Sequence, residues 1–171
     1  SSVAALLGTA GVTVGLALQG GLANLAGGVL LLLFKPFVVG DYIIQDQSNG
    51  CEGTVAKIEI CYTTLLSIDN KKIVVPNGTL SNSTIINVTA KENRKLEIKV
   101  GISYEADIQK AKRIIEKILR EDADTKSDTK EMVVFVDELA DSAVIMGLRV
   151  WVSTERYWPT KWRLNQKIKE E

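Results

Sequence analysis

Few side chains in this 171-residue sequence could carry out covalent chemistry. Asp137, Glu138 and Asp141 could act as acids or bases only if they shared a cleft that shifted their pKa values. Their surroundings have the pattern of a solvated turn between two strands, so we predict an ordinary hairpin there. Cys51 and Cys61 lie in predicted strands with no CxxC motif, and the sequence has no histidine. We predict two small buried thiols and no enzyme, metal site or cofactor.

Charged residues are distributed very unevenly along the chain. Residues 1–34 contain no Asp, Glu, Lys or Arg, so all 21 basic and 21 acidic residues follow them. The first segment has the composition of a membrane helix, and the rest has that of a soluble protein. A signal peptide fits poorly, because the run is too long and lacks a basic start. With no basic surplus, nucleic acid is not a predicted partner.

The uncharged segment is too long for one straight membrane helix. It would measure about 51 Å as a helix, against about 30 Å of hydrocarbon. Gly20-Gly21 is the predicted break, because glycine pairs commonly cause kinks. We therefore predict one helix over about residues 1–19 and a second over about 22–34, which Lys35-Pro36 ends.

Small residues occupy both flanks of the first helix on a helical wheel. One flank carries glycines and the other threonine and alanine, which lets identical helices pack closely. The packing residues are predicted to be Ala5, Gly8, Thr9, Gly11, Thr13 and Gly15. Repeated by rotation, such a contact closes a ring. Val12 and Leu16 would then face the axis and form an apolar gate that excludes water.

A simpler alternative remains open for this helix. Gly11-xxx-Gly15 is also the spacing of a common dimer motif in membrane anchors. The sequence alone does not count the subunits.

Beyond Lys35 the pattern changes to closely spaced β-strands. The predicted strands cover residues 38–45, 54–60, 62–68 and 73–75, with polar turns between them. This spacing indicates a small barrel or sandwich with an Sm-like outline. An Sm-like fold suggests RNA binding as an alternative function. The sequence does not contain the cluster of basic and aromatic residues expected for it.

The last third of the chain alternates strands and helices. A half-buried strand begins near Lys95, a helix covers 108–119, strands cover 133–136 and 143–152, and a last helix begins near Pro159. The order βαββα matches a ferredoxin-like domain without its final strand. The predicted domains are a kinked pore-lining helix at 1–35, a β domain at 36–90 and an α/β domain at 91–171, which we expect to be truncated.

Several stretches together resemble the small-conductance mechanosensitive channel family. They are GTAGVTVGLALQG at 8–20, NLAGGVL at 24–30, FKPFVVGD at 34–41, VVPNG at 74–78 and Ile86-Asn87. The resemblance runs in order along essentially the whole chain. In the family, at least two further helices precede this region and a final barrel follows it.

The resemblance implies a homoheptameric channel in a prokaryotic inner membrane, with the residues after about 35 in the cytoplasm. Bilayer tension during hypoosmotic shock would open it and release ions and small solutes. Its implied partners are copies of itself, the lipid bilayer and the permeating solutes. The runner-up is a membrane-anchored cytoplasmic interaction module that does not conduct.

The resemblance also assigns roles to individual residues. It places the pore seal at Val12 and Leu16. The implied hinge residues are Gly20, Gly21 and Gly28, and the implied interdomain contacts are Asn24, Asn77 and Gly78. The sequence departs from the family pattern at two places. The first seal position is valine where the family has leucine, and Thr9 and Thr13 stand where alanine is usual.

Overall fold

We analysed a computed structural model, which describes residues 2–46, 49–125 and 132–171. The chain forms two compact units, Ser1–Ala90 and Lys91–Glu171. The elements of the first unit are, in order, α1 (Ser2–Ala17), α2 (Gln19–Phe34), β1 (Tyr42–Gln45), β2 (Glu52–Ile58), β3 (Tyr62–Leu66), β4 (Lys72–Pro76), α3 (Asn77–Ser81) and β5 (Ile85–Asn87).

The uncharged segment forms two helices that meet at an angle of 61°. The bend lies at Leu18, whose φ of −93° and ψ of −1° depart from helical values. The Leu18 N–H still donates to Val14 O, and the Leu22 N–H donates to Leu18 O, so these bonds survive the bend. The prediction that the chain bends at Gly20-Gly21 is therefore wrong, because both glycines lie in the first turn of α2.

No single helix in the described ranges meets the length and apolarity expected of a membrane span. The bent pair α1–α2 meets them when its two helices are taken together. The second helix ends where predicted, at Phe34, and Lys35 follows in the left-handed conformation with its N–H donating to Leu31 O.

Five antiparallel strands follow in the order β4-β3-β2-β1-β5. Their apolar side chains form one core with the end of α2, comprising Leu31, Phe37, Ile43, Val55, Leu65, Val75 and Leu80. The predicted β region is confirmed, but the first strand begins at Tyr42 rather than at residue 38. Residues 38–41 form a turn instead, which Gly40 permits with its φ of +98°. The short elements α3 and β5 were not predicted.

The second unit contains β6 (Asn93–Ile102), α4 (Ile108–Glu121), β7 (Val133–Leu139), β8 (Val144–Ser153), a short 3-10 helix (Thr154–Arg156) and α5 (Tyr157–Glu170). This order confirms the predicted βαββα pattern. The strands form an antiparallel sheet in the order β6-β8-β7, so β8 lies between the two strands that α4 connects. The two helices cover one face of the sheet around a core that includes Leu96, Leu119, Leu148 and Leu164.

The acidic residues proposed for a turn are only partly in one. Asp137 and Glu138 belong to β7, where a bulge between Val136 and Glu138 adds a residue to the strand. Lys99 donates to the Asp137 carboxylate over 2.8 Å. Of the three acidic residues, Asp141 alone lies in the hairpin turn.

An ion-pair cluster holds α5 against the segment that follows α4. Arg163 donates two hydrogen bonds of 2.8 Å to the Asp122 carboxylate and one of 2.8 Å to Asp124. Arg156 also donates to Asp124, over 3.2 Å. The Asp122 side chain is only 1% exposed. Hydrogen bonds from the Arg163 guanidinium lower the pKa of Asp122 despite its burial.

Candidate functional site

The surface of α1 has no partner within the described chain. All its residues are exposed and none is charged. A Cβ built on Gly8, Gly11 or Gly15 would meet no atom within 4 Å. The predicted gate residues, Val12 and Leu16, are likewise exposed. Burying this surface requires lipid or protein beyond the described residues.

The two unusual threonines are satisfied within their own helix. Thr9 Oγ1 donates to Ala5 O over 2.8 Å, and Thr13 Oγ1 donates to Thr9 O over 2.8 Å. A hydroxyl bonded in this way can enter an apolar environment at little cost. The threonines thus add a hydroxyl row to the helix without leaving any donor unpaired.

In contrast, α2 is packed closely on the β domain through glycine. A Cβ built on Gly27 would lie 2.6 Å from the backbone carbon of Asn77, and one on Gly28 would overlap Ile60 O. Both glycines are buried, with Leu31 one turn further along the helix. Only a residue without a side chain allows the helix this close to the two backbones.

An amide network completes the attachment of α2. Asn24 Oδ1 accepts a 3.0 Å hydrogen bond from the Gly78 N–H. The buried Asn77 side chain donates to Glu59 O over 2.7 Å and accepts from Thr63 Oγ1 over 2.7 Å. The network therefore joins α2, α3 and the β2–β3 region at one point.

Two of the family-like stretches, 34–41 and 86–87, meet next to α2. The Asp41 carboxylate accepts hydrogen bonds from the Val38 N–H, from Asn87 Nδ2 and from Thr89 Oγ1 over 2.9–3.1 Å. The Asn87 amide also donates to Pro36 O. These bonds lower the pKa of Asp41 against the effect of desolvation. The turn after α2 is thereby fixed to the end of β5.

The structure brings together some of the predicted site residues and leaves others apart. Asn24, Asn77 and Gly78 meet at the attachment of α2. Gly28 contacts the same region, and α2 continues through it without a break, so its hinge role stays a prediction. The packing and gate residues of α1 are all exposed in the described chain, so their roles also stay predictions.

Sequence reasoning missed Gly27 and Thr63. The sequence did contain a signal for Gly27, because it is adjacent to Gly28 within a predicted helix. A glycine pair in a helix can mark a place where another backbone packs closely against it. Thr63 carried no such signal, since its contact with Asn77 depends on how the strands pair.

Side chains that could bind a metal ion do not cluster in the described residues. Within them, no group of three or more His, Cys, Asp or Glu side chains is placed to hold a metal ion. Cys51 and Cys61 lie in loops beside β2 and are half-buried, so the predicted burial in strands is wrong. Desolvation raises the pKa of the Cys51 thiol, which disfavours its reactive form.

Two family profiles cover most of the chain. Residues 21–90 match the family described as "Mechanosensitive ion channel, beta-domain". Residues 96–171 match that described as "Mechanosensitive ion channel MscS, C-terminal". The chain belongs to the MscS family. Its fold and family are those of channels rather than enzymes.

MscS-family relatives align with nearly the whole chain. It is 40% identical to a small-conductance mechanosensitive channel of Edwardsiella ictaluri over 160 residues, covering 94% of this chain and 54% of the relative. It is 37% identical to an uncharacterized MscS family protein of Synechocystis, covering 100% of this chain and 56% of the relative. The chain thus spans little more than half the length of these relatives.

The fold also matches a solved MscS structure. The crystal structure of Helicobacter pylori MscS in a closed state superposes with a TM-score of 0.86 at 30% identity. The match covers 99% of this chain and 66% of the other. MscS-family channels are membrane proteins.

Proposed function

We propose that this protein forms a mechanosensitive ion channel that membrane tension opens. Open, it would release ions and small solutes during hypoosmotic shock. One observation carries the proposal: α1 exposes an uncharged, glycine-lined surface with no partner in the described chain, whereas α2 beside it is fixed to the β domain. A helix of this kind needs both lipid and other copies to cover it.

Assembly follows from the shape of α1. The glycines of one copy would receive the flank of the next that carries Thr9 and Thr13, and repetition of this contact would close a ring. We propose a homoheptamer, the number that the family resemblance implies. Its location would be a prokaryotic inner membrane, with the β and α/β domains in the cytoplasm.

The gate would consist of apolar rings. Val12 and Leu16 lie one turn apart between the two flanks, so a ring of helices would direct both toward the axis. A narrow apolar constriction excludes water and therefore blocks ions without a plug. Opening would require the α1 helices to slide or tilt, while Asn24, Gly27 and Gly28 keep α2 on the β domain.

Recording from purified protein in lipid vesicles tests this proposal. Under suction on a patch, a mechanosensitive channel gives discrete conductance steps whose probability rises with tension. A membrane-anchored interaction module gives none at any tension. Mass measurement of the same preparation in detergent and in lipid should show a heptamer, and a dimer in both would contradict the ring.

A further inference from the structure

Two hydroxyl side chains lie on α1 beside the proposed gate. After Ser2, the side chains of Thr9 and Thr13 are the only ones in this helix that can form a hydrogen bond. Both are exposed in the described chain, like the rest of α1. An otherwise apolar helix thus presents two polar groups, one turn apart, on a surface whose burial requires lipid or further protein. We call Thr9 and Thr13 the hydroxyl row.

The donor of each hydroxyl is already used inside α1. Thr9 Oγ1 donates to Ala5 O, and Thr13 Oγ1 donates to Thr9 O, both over 2.8 Å. Each hydroxyl oxygen keeps its capacity to accept a hydrogen bond. The row can therefore lie against an apolar neighbour without an unpaired donor, and it can bind water wherever water reaches it. A valine in the same place could do only the first.

Helical geometry places the hydroxyl row next to the proposed gate. At about 100° per residue, Thr9 lies about 20° around the helix from Leu16, and Thr13 lies about 60° from Leu16 in the same direction. Val12 lies on the other side of Leu16. Along the helix axis, Thr13 lies between the levels of Val12 and Leu16. The Thr13 hydroxyl is therefore at the height of the gate but turned toward the flank of the helix.

Opening of the ring would change what the hydroxyl row faces. In the closed ring of the proposed function, the row meets the glycine flank of the next copy, which offers no side chain. A wider ring built from the same number of helices leaves less of each flank covered, and the part nearest the axis is uncovered first. Thr9 and Thr13 lie in that part, because they are on the side of the flank that is close to Leu16.

We propose that the hydroxyl row becomes part of the wall of the open pore and lowers the tension at which the gate fills with water. Narrow apolar rings at Val12 and Leu16 exclude water. Hydroxyl oxygens at the same level accept hydrogen bonds from water once the ring has widened, and they are covered while it is closed. The row therefore favours the open state without wetting the closed one. This inference rests on the proposed function.

Recordings of variants that separate the hydroxyl from the side-chain volume test this role. Thr13→Val keeps the branched shape and removes the hydroxyl, whereas Thr13→Ser keeps the hydroxyl and removes the methyl group. At a fixed tension, Thr13→Val should lower the ratio of open to closed channels by about fivefold or more, because each copy loses one hydrogen bond to water. Thr9→Val should act in the same direction, and Thr13→Ser should stay close to wild type. The reverse order, with Thr13→Ser altered and Thr13→Val unchanged, would show a packing role and overturn the proposal.

The neighbouring Val14 supplies the matched control, since it lies on the side of α1 opposite to the gate. Thr13→Val combined with Val14→Thr keeps the composition of the helix and moves the hydroxyl about 100° around it. This exchange variant should open like Thr13→Val, and Val14→Thr alone should open like wild type. Wild-type opening in the exchange variant would show that the position of the hydroxyl does not matter, which would overturn the proposal.

Thiol modification tests directly whether position 13 becomes wet on opening. In a Cys51→Ser, Cys61→Ser background that conducts like wild type, a charged, water-soluble thiol reagent should change the current of Thr13→Cys only when it is applied under tension. Val14→Cys should not respond in either state. Reaction of Thr13→Cys as fast at rest as under tension, or no reaction in a conducting channel, would overturn the inference and leave the proposed function intact. A wild-type protein that never conducts would overturn both.

Discussion

The helices α1 and α2 have the same length and the same kind of composition, yet they are packed in opposite ways. Each has 16 residues, no charge and several glycines. Gly27 and Gly28 of α2 lie against backbone of the β domain, while the three glycines of α1 face open space. Glycine marks a close approach in α2, where the partner belongs to the same chain. By the same physics, we propose that the partner of α1 is another copy of the chain.

The α/β unit attaches its helices differently. There α5 is held by charges, through Arg163 with Asp122 and Asp124, rather than by glycine contacts. Helix α4 has a strongly amphipathic sequence, and the Asp107 carboxylate caps it by accepting from Gln109 N and Lys110 N. The attachment of α5 by ion pairs should therefore weaken when pH changes the charges. The close contacts of α2 should instead weaken when a larger side chain replaces glycine.

The largest expected effect comes from one substitution made in both apolar helices. Gly28→Leu should cost about 3 kcal/mol or more of stability, because the side chain would overlap the backbone at Ile60. Gly11→Leu should leave the fold of the chain intact and weaken assembly or closure. Denaturant unfolding measures the first effect, and mass measurement in lipid measures the second. Equal losses of stability in both variants would remove the distinction between the helices.

Removing the Asn77 amide from the network should have the next largest effect. Asn77→Ala removes the hydrogen-bond partner of the buried Thr63 hydroxyl and of Glu59 O. We expect the free energy of unfolding to fall by about 2 kcal/mol. The exposed Asn165→Ala is the matched control and should change stability by less than about 0.5 kcal/mol. Chemical denaturation of the two variants compares them. An Asn77→Ala protein as stable as the control would show that the Asn77 hydrogen bonds do not stabilise the β domain.

Acid should loosen α5 and spare the neutral amide contacts of Asn24 and Asn77. The pKa of Asp122 is lowered in the folded protein, so its stabilisation is complete above the ordinary value of 3.8 and is lost as pH falls through the folded pKa. Unfolding followed by tryptophan fluorescence at pH values above and below about 4 should show this loss. Asp122→Asn should flatten the dependence, while Glu59→Gln, at an exposed pair, should not. An unchanged slope in Asp122→Asn would refute the assignment.

The smallest effect on stability is expected at Gly20 and Gly21. A Cβ at either position meets no atom within 4 Å, and alanine favours helix over glycine by about 1 kcal/mol. Gly20→Ala with Gly21→Ala should therefore preserve the fold and stiffen the region just after the bend at Leu18. We expect inactivation or gating kinetics to change more than conductance in patch recordings. A change confined to conductance would contradict this expectation.

Local signals predicted much of this architecture. The absence of charge before Lys35 predicted the apolar helices, and the change from alternating to helical spacing predicted the βαββα order. Pro76-Asn77-Gly78 fits a turn as well as a helix start, which is why α3 was missed, and β5 has only three residues. The bend falls at Leu18, and leucine is a good helix former. Helix propensity therefore placed the predicted bend at the neighbouring glycines instead.

The candidate site was predictable only in part, for a related reason. Asn24 and Gly78 were found as individual residues, but their hydrogen bond joins positions 54 residues apart. The partners of Asn77 likewise depend on strand pairing that no local pattern encodes. The Asp41–Asn87 contact was missed in the same way, although both residues lie in stretches that resemble the family.

We propose that Val12 and Leu16 form an apolar gate on a helix whose partners are other copies. Patch recordings of Leu16→Ser beside wild type test it most directly, because a hydroxyl there should let water into the closed pore. We predict current at rest or opening at lower tension, with a milder effect for Val12→Ser. A Leu16→Ser channel with the wild-type threshold and no resting current would contradict the account.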